Sequence, residues 1–182
     1  MRKIPTLFVR DPENRRVVLP EVTPGCEWVA DAGVVASRKF DGTCVMFDGD
    51  HWWARREVKP GKMKPVGFTS VDHDDATGKT VGWEPAGQSS FARIIGDVTA
   101  AAGCEWRPTT YELIGPKVNG NPEGLPDHLL MAHGLAVLAG FPTTFEEIRE
   151  EFATVFPAGW EGVVWRHPDG RMVKIKQRDF AS

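Results

Sequence analysis

The 182-residue chain carries a net charge of −3 at pH 7, with 41% hydrophobic and 26% charged residues. This balance is typical of a soluble globular protein and excludes a uniformly basic coat for nucleic acid. No run of about 18 apolar residues is present, so we expect neither a membrane-spanning helix nor a membrane partner. The three cysteines, Cys26, Cys44 and Cys104, are far apart and indicate neither a disulfide framework nor a zinc site. We therefore predict a single domain over residues 1–182 in a reducing, cytoplasmic compartment.

The first predicted elements are two strands that form a hairpin. Residues 43–47 and 51–56 are rich in apolar residues and flank Asp48-Gly49, a dipeptide typical of tight turns. Residues 57–88 are rich in glycine, proline, lysine and aspartate, which predicts a long surface excursion with room for one short strand. Within it, the acidic run 72–75 is predicted to be a solvated loop. A basic strip overlaps the end of the hairpin and comprises Arg55, Arg56, Lys59, Lys62 and Lys64.

Two helices are predicted further along the chain, separated by a buried strand over residues 110–114. The first has a serine cap at Ser89 or Ser90, an end at Gly103, and apolar residues at helical spacing: Phe91, Ile94, Ile95 and Val98. The second begins with a capping box formed by Thr144 and Glu147. Its apolar stripe comprises Phe145, Ile148, Phe152 and Val155. Residues 129–138 are apolar and fit either a strand or a helix.

The last predicted unit is a hairpin near the C-terminus. Residues 162–165 and 172–176 flank the turn residues Pro168, Asp169 and Gly170. The strand period of two places Lys174 and Lys176 on one face and leaves an apolar face to pack on the core. The hairpin also brings Glu161 near Lys176 at its open end.

One short motif carries candidate chemistry. Lys39 is followed by Phe40, Asp41 and Gly42, and it lies three residues after the apolar stretch 33–36. A lysine amine that is partly neutral near pH 7 is a nucleophile, and an acid and a glycine beside it allow a phosphate and a metal ion to approach. The same tetrapeptide also describes an ordinary surface turn.

Three further segments place charges within apolar strands or beside glycines. They are Tyr111 to Gly115 with Glu112, Glu161 to Val164, and Lys174 to Lys176. Because buried charges are costly unless they are paired or bound to a metal, these charges call for partners. Together with Lys39 they supply what nucleotidyl transfer to an amine needs: a nucleophile, carboxylates for a divalent cation, and lysines that neutralise phosphates.

The order of these four motifs resembles that of the covalent nucleotidyltransferase superfamily, which contains ATP-dependent DNA ligases, RNA ligases and mRNA capping enzymes. A finer resemblance to the animal 5′-to-3′ RNA ligase family rests on several segments. These are Trp53-Ala54-Arg55, Glu112 to Gly115, Asn119-Gly120-Asn121-Pro122, His128 to Leu130 with His133-Gly134, and Glu161 to Trp165.

The resemblance implies an α+β fold of the nucleotidyltransferase (ligase adenylation domain) type. In that fold two antiparallel β-sheets with flanking helices surround an ATP cleft. Almost nothing follows Lys176, so we expect no C-terminal OB-type domain of the kind that DNA ligases and capping enzymes carry.

The resemblance also implies roles for individual residues. Lys39 would attack the α-phosphate of ATP and form lysyl-AMP, with Asp41 orienting Lys39 or a hydrated Mg²⁺ (or Mn²⁺). Lys174 and Lys176 would hold the phosphates and stabilise the leaving group. The AMP would then pass to an RNA 5′-phosphate, which a 3′-hydroxyl attacks.

The remaining implied roles concern the nucleotide and the metal. Glu112 would hold the ribose hydroxyl or the metal, Glu161 the metal, and Arg55 the sugar or a phosphate. His133 would stack on adenine or be purely structural, and Phe40 would adjoin the nucleotide or face the core.

Alternatives stay open at this point. The chain could be a non-catalytic nucleotide- or RNA-binding module of the same fold, a GTP-using capping guanylyltransferase, or a DNA ligase. Trp83 could stack on an RNA base or fill the core.

Overall fold

The computed structural model describes residues 2–103 and 105–180, so the predicted unpaired state of Cys104 lies outside the described residues. The strands, in chain order, are β1 (Phe8–Arg10), β2 (Val18–Val22), β3 (Val35–Lys39), β4 (Thr43–Phe47), β5 (Trp52–Val58), β6 (Thr69–Asp74), β7 (Lys79–Pro85), β8 (Thr109–Ile114), β9 (Leu129–Ala132), β10 (Gly162–Arg166) and β11 (Met172–Lys176). The helices are α1 (Ala92–Ala101) and α2 (Phe145–Thr154), and short 3-10 segments cover Glu27–Ala30, Ala86–Gln88 and Gln177–Phe180.

Among the described residues, no helix has both the length and the apolar content needed to cross a membrane. The strands pair antiparallel, as expected for the α+β class.

The chain divides into two compact units. The six-stranded unit comprises Gly42–His133 with the N-terminal residues up to Lys3, and the three-stranded unit comprises Ile4–Asp41 and the chain from Gly134 onward. Each unit has its own hydrophobic core among the described residues.

The six-stranded unit is built on a sheet with the order β6-β7-β5-β4-β8-β9. Strand alternation sends Val45, Tyr111 and Leu113 to one face, where they are buried with Ile95 of α1. Cys44 and Glu112 therefore point to the opposite face, since they are neighbours of Val45 and Tyr111. This second face of the sheet therefore carries the Glu112 carboxylate and the Cys44 thiol.

The predicted hairpin over β4 and β5 is confirmed, with Phe47 opposite Trp52. The prediction of a long surface excursion over residues 57–88 is wrong, because two paired strands of the six-stranded sheet, β6 and β7, form within it. Glycine content was misleading there. A Cβ on Gly82 would lie 2.2 Å from the carbonyl oxygen of Thr69, so this glycine serves close strand packing and not a loop. Trp83 is buried, which confirms its interpretation as a core residue.

The acidic run 72–75 is also not a loop, because β6 extends through Asp74. The ambiguous segment 129–138 begins as β9, and its later residues run beside β3. There the Arg38 amide donates to the Ala136 carbonyl at 2.8 Å and the Leu138 amide donates to that of Ala36 at 2.9 Å.

Both predicted helices form, with differences at their ends. Ser89 does not cap α1 directly, because Phe91 is the N-cap residue, but its Oγ accepts a hydrogen bond from the Phe91 amide at 3.2 Å. Thr144 caps α2 as predicted by position, and its hydroxyl donates to the Glu147 carboxylate at 2.6 Å. Val155 does not belong to the apolar stripe: it lies just past the helix end and is 68% exposed.

The three-stranded unit contains a sheet with the order β11-β10-β3 and a separate β1-β2 pair. Val163, Val173 and Ile175 are fully buried on one face of the larger sheet, packed with Ile148 of α2. The predicted C-terminal hairpin is confirmed, and the structure sets its register, with Gly162 paired with Lys176 and Val163 with Ile175. The face opposite the core is left to the charged residues of these strands.

Candidate functional site

Three predicted site residues meet in the three-stranded unit. Lys39 ends β3 and Lys176 ends β11, and both pair with Gly162 at the start of the central strand β10. Glu161 therefore lies directly beside them. One oxygen of its carboxylate, Oε2, accepts from Lys39 Nζ, and the other, Oε1, pairs with Lys176 Nζ. The predicted proximity of Glu161 and Lys176 is confirmed, and Lys39 joins them.

The glycine after Glu161 makes this arrangement possible. A Cβ on Gly162 would lie 2.1 Å from the carbonyl oxygen of Ile175 and 2.7 Å from the Cα of Lys176. Any side chain there would push β10 away from β11. The glutamate-glycine motif is therefore a packing requirement for the carboxylate position.

The carboxylate of Glu161 is ionised in this environment. Its side chain is 7% exposed, and burial alone raises the pKa of a carboxyl. The attraction of Lys39 and the hydrogen bonds from Lys176 and Lys39 outweigh burial, so the pKa of Glu161 lies below its usual value. Lys39 Nζ also donates a hydrogen bond to the backbone carbonyl oxygen of Phe40, at 3.4 Å. Lys39 Nζ is thus held between two hydrogen-bond acceptors, the Glu161 carboxylate and the Phe40 carbonyl oxygen.

Further cations share this face of the sheet. Lys174 and Lys176 lie there by strand alternation, opposite the buried Val173 and Ile175. Arg166 at the end of β10 lies on the same face, and its guanidinium donates to the buried hydroxyl of Ser37. Burial lowers the pKa of Arg166. One carboxylate among several cations leaves an excess of positive charge that suits a phosphate chain.

Arg166 is a residue that motif reasoning missed. The signal was nevertheless in the sequence, because Arg166 is two residues beyond Val164, which pairs with Lys174. Val164 lies on the same face as its partner Lys174, and strand alternation places Arg166 on that face as well.

Two other predicted residues, Phe40 and Asp41, follow β3. The ring of Phe40 lies against the guanidinium of Arg38, with the carbon of that group 4.3 Å from the ring centre. The same guanidinium lies 3.8 Å from a ring centre of Trp160. Asp41 is half-buried beyond Phe40. Their nucleotide and metal roles stay predictions.

The six-stranded unit brings together a second group. Glu112 on β8 and His133 just after β9 are in contact, with Nε2 of the histidine 2.8 Å from Oε2 of the carboxylate. The other ring nitrogen, Nδ1, lies 2.9 Å from the hydroxyl of Thr110. Cys44 pairs with Glu112 across β4 and β8. Sequence reasoning gave His133 no partner, and these contacts fix its ring.

Arg55 lies on the same face of this sheet. Trp53 pairs with Met46, which is two residues from Cys44, and Arg55 is two residues beyond Trp53. The predicted residues of this unit therefore share one surface.

Strand packing requires a glycine at Gly42, the last residue of the lysine-x-aspartate-glycine motif. A Cβ on Gly42 would lie 2.2 Å from the carbonyl oxygen of Leu113 and 2.8 Å from Cγ of Glu112. The close approach that the structure shows is therefore to β8. Gly42 lets the strand that carries Glu112 pack tightly against the start of β4.

The Asn-Gly-Asn-Pro element forms a tight loop after β8. Asn119 and Asn121 both adopt left-handed backbone conformations, with φ of 49° and 59°. The Asn119 side chain donates to the carbonyl oxygen of Gly42 at 2.9 Å, and Asn121 exchanges two hydrogen bonds with the backbone of Leu125. Asparagine suits these positions because it tolerates this conformation and supplies both bonding groups.

Replacing Asn119 with alanine should lower the free energy of unfolding by about 1–1.5 kcal/mol, because it loses one hydrogen bond and strains a left-handed residue. Urea denaturation followed by tryptophan fluorescence measures the change. Asn119→Gly relieves the backbone strain and should be less destabilising than the alanine variant. Equal losses in the two variants would show that the backbone conformation of Asn119 carries no cost.

The chain matches the family model for RNA ligase 1 over residues 96–181. It is 40% identical over 152 residues to RNA ligase 1 of Danio rerio, an alignment that covers 69% of this chain and 46% of the relative. RNA ligase 1 of Mus musculus is 34% identical over 161 residues, covering 68% and 45%. RNA ligase 1 of Rattus norvegicus is 33% identical over 154 residues, again covering 68% and 45%. The chain thus spans about half the length of the curated relatives it matches, and the predicted similarity to an animal RNA ligase family is confirmed.

Proposed function

We propose that this chain, a relative of the RNA ligase 1 proteins, is an ATP-dependent RNA ligase that works through a covalent lysyl-AMP intermediate. The observation that carries the proposal is the contact of Lys39 with Glu161 on a face rich in cations. A lysine in such a place can accept a nucleotidyl group while its neighbours bind the phosphates. The names of the relatives point to RNA as the substrate.

In the proposed first step, Lys39 Nζ attacks the α-phosphorus of ATP. A P–N bond forms as the bond to the bridging oxygen breaks, and pyrophosphate leaves with the electron pair. The attacking ammonium first loses a proton to water, and Glu161, which accepts a hydrogen bond from Lys39, holds the amine in place. Lys174 and Lys176 stabilise the charge that develops on pyrophosphate.

In the later steps, a 5′-phosphate oxygen of an RNA attacks the phosphorus of the lysyl-AMP, the P–N bond breaks, and the Lys39 amine leaves and takes up a proton. The 3′-hydroxyl of a second RNA end then attacks that phosphate, forms the phosphodiester and releases AMP. The substrate is thus RNA with a 5′-phosphate and a 3′-hydroxyl.

The resemblance implies Mg²⁺ or Mn²⁺ as well. The carboxylates of Asp41 and Glu161, and in the six-stranded unit that of Glu112, are the hard oxygen donors these ions prefer. The lowered pKa of Glu161 keeps its donor ionised, so the donor chemistry fits. When bound, the cation would neutralise phosphate charge. Both oxygens of Glu161 are engaged by ammonium groups, so inner-sphere binding there would displace one of them.

Nucleotide recognition is assigned to the remaining predicted residues. We propose that Glu112 accepts a hydrogen bond from a ribose hydroxyl and that Arg55 contacts sugar or phosphate. His133, held by Glu112 and Thr110, offers a ring face to adenine. Phe40 keeps its predicted place beside the nucleotide.

The proposal is tested with radiolabelled ATP and Mg²⁺. The chain should acquire one AMP, and mass spectrometry should map it to the peptide that contains Lys39. Matched RNA and DNA ends then test sealing, with RNA expected to be joined. Binding of ATP without label would instead identify a non-catalytic module, preferred labelling by GTP a guanylyltransferase, and sealing of DNA alone a DNA ligase.

The ribose assignment gives a separate prediction. Wild-type protein should label about tenfold more slowly with 2′-deoxy-ATP or 3′-deoxy-ATP, whichever lacks the contacted hydroxyl, because a carboxylate is left without its donor. Glu112→Gln should label more slowly with ATP, and its labelling rates with ATP and with the deoxy-ATP should differ less than those of wild type. Initial labelling rates measure both effects. If Glu112→Gln kept the full discrimination, the ribose would be bound elsewhere.

A further inference from the structure

Cys44, Glu112 and His133 form a cluster of unlike metal-binding groups in the six-stranded unit. One donor atom from each lies within 4.8 Å of those of the other two. Cys44 and Glu112 are each 9% exposed, and the side chain of His133 is 17% exposed. The cluster is therefore enclosed but reachable from one side.

We propose that these three residues form a binding site for Zn²⁺ or a cation of similar softness. Thiolate sulfur, imidazole nitrogen and carboxylate oxygen are the three donor types that zinc takes, at about 2.0–2.3 Å. Tetrahedral bonds of that length place ligand atoms about 3.3–3.8 Å apart, so modest side-chain movement closes the site. Three protein ligands leave a fourth position for water or another oxygen.

Thr110 supports this arrangement. Its hydroxyl lies 2.9 Å from His133 Nδ1, which directs Nε2 towards the other two ligands. Metal-binding histidines are commonly oriented in this way by a partner on the second nitrogen. The 2.8 Å contact between Nε2 and Glu112 shows that a proton can occupy the space between them, which the metal would take over. Binding releases that proton and the thiol proton of Cys44.

Glu112 is also among the donors proposed for Mg²⁺, but the thiolate and the imidazole beside it give this cluster a different metal preference. A thiolate is a poor ligand for Mg²⁺ and a good one for zinc and cobalt. The widely spaced cysteines of the sequence gave no sign of it, because the partners of Cys44 are a glutamate and a histidine on other strands. Zinc binding as such does not depend on the proposed ligase activity.

Cobalt is the probe for the test, because a thiolate bound to Co²⁺ gives an intense charge-transfer absorption in the near ultraviolet. We expect the full chain to bind one Co²⁺ with this absorption and Zn²⁺ to displace it. Cys44→Ser should lose the absorption. Cys26→Ser, which alters a buried cysteine of the other unit, and Cys104→Ser should keep it.

A second variant guards against misfolding of Cys44→Ser. Thr110→Val removes the hydroxyl that orients His133 and should weaken Co²⁺ binding at least tenfold while keeping the absorption at saturation. Absence of the absorption in wild-type protein, or its persistence in Cys44→Ser, overturns the proposal. So does an unchanged affinity in Thr110→Val.

A consequence rests on the proposed function. Zn²⁺ at Glu112 would exclude the ribose, so it should inhibit AMP labelling of wild-type protein at least tenfold more strongly than that of Cys44→Ser. Equal inhibition would overturn this link. Absence of labelling without zinc would instead count against the proposed function, and the cobalt spectrum would still decide the metal site.

Discussion

Lys39→Ala is expected to abolish AMP labelling of the chain, by more than about a thousandfold in initial rate. The variant removes the amine that would form the P–N bond, and Lys176, the other amine beside Glu161, is assigned to the phosphates in the proposal. Binding of ATP should change far less, because Lys174, Lys176 and Arg166 remain on the same face. The measurements are labelling with radioactive ATP and, separately, equilibrium binding of ATP.

Lys79→Ala is the matched control for this experiment. Lys79 is also a strand-end lysine paired with a glutamate, since its Nζ lies 3.0 Å from Glu57, but it lies outside the proposed site. It should label like wild type. Label that persisted in Lys39→Ala and mapped to another lysine would move the nucleophile and leave the rest of the proposal to be rebuilt around it.

The local hairpins could be predicted from the sequence because their signals are short-range. The C-terminal hairpin has alternating residues on both sides of a turn, which predicted its two strands, while the structure sets the register between them. Strands β6 and β7 could not be found in this way. Their glycine and charged residues resemble loop composition, and only the packing of Gly82 against Thr69 explains why a glycine belongs in a strand there.

In the candidate site, too, contacts within one hairpin could be predicted, and contacts between distant strands could not. The meeting of Glu161 and Lys176 follows from one hairpin, so the sequence predicted it. The pairing of Cys44 with Glu112 depends on the register of β4 and β8, which are far apart in the chain. No local pattern sets that register. The contact of Glu161 with Lys176 could therefore be predicted, while the contacts of Thr110 and Cys44 around Glu112 and His133 could not.

The ion pairs of Glu161 make a strong prediction about stability. Glu161→Gln should lower the free energy of unfolding at pH 7 by about 2–3 kcal/mol. Loss of one partner of a fully buried pair costs about 3–5 kcal/mol, and solvent reaches the two lysines here, whose side chains are 20% and 17% exposed. Urea denaturation measures the difference. Glu146→Gln, at an exposed helical ion pair with Arg149, should change stability by less than about 0.5 kcal/mol.

The pH dependence of that difference identifies its origin. Burial raises the pKa of Glu161, but Lys39 and Lys176 outweigh it and hold the pKa below the unfolded value of about 4.3. A group whose pKa is lowered by folding adds stability above its unfolded pKa and loses it as the pH falls through the folded pKa. The gap between wild type and Glu161→Gln should therefore be full at pH 7 and should narrow as the pH falls below the ordinary glutamate pKa and through the lowered pKa of the folded state. A gap that stayed constant with pH would show that the glutamine perturbs packing and that the carboxylate does not hold the two lysines in solution.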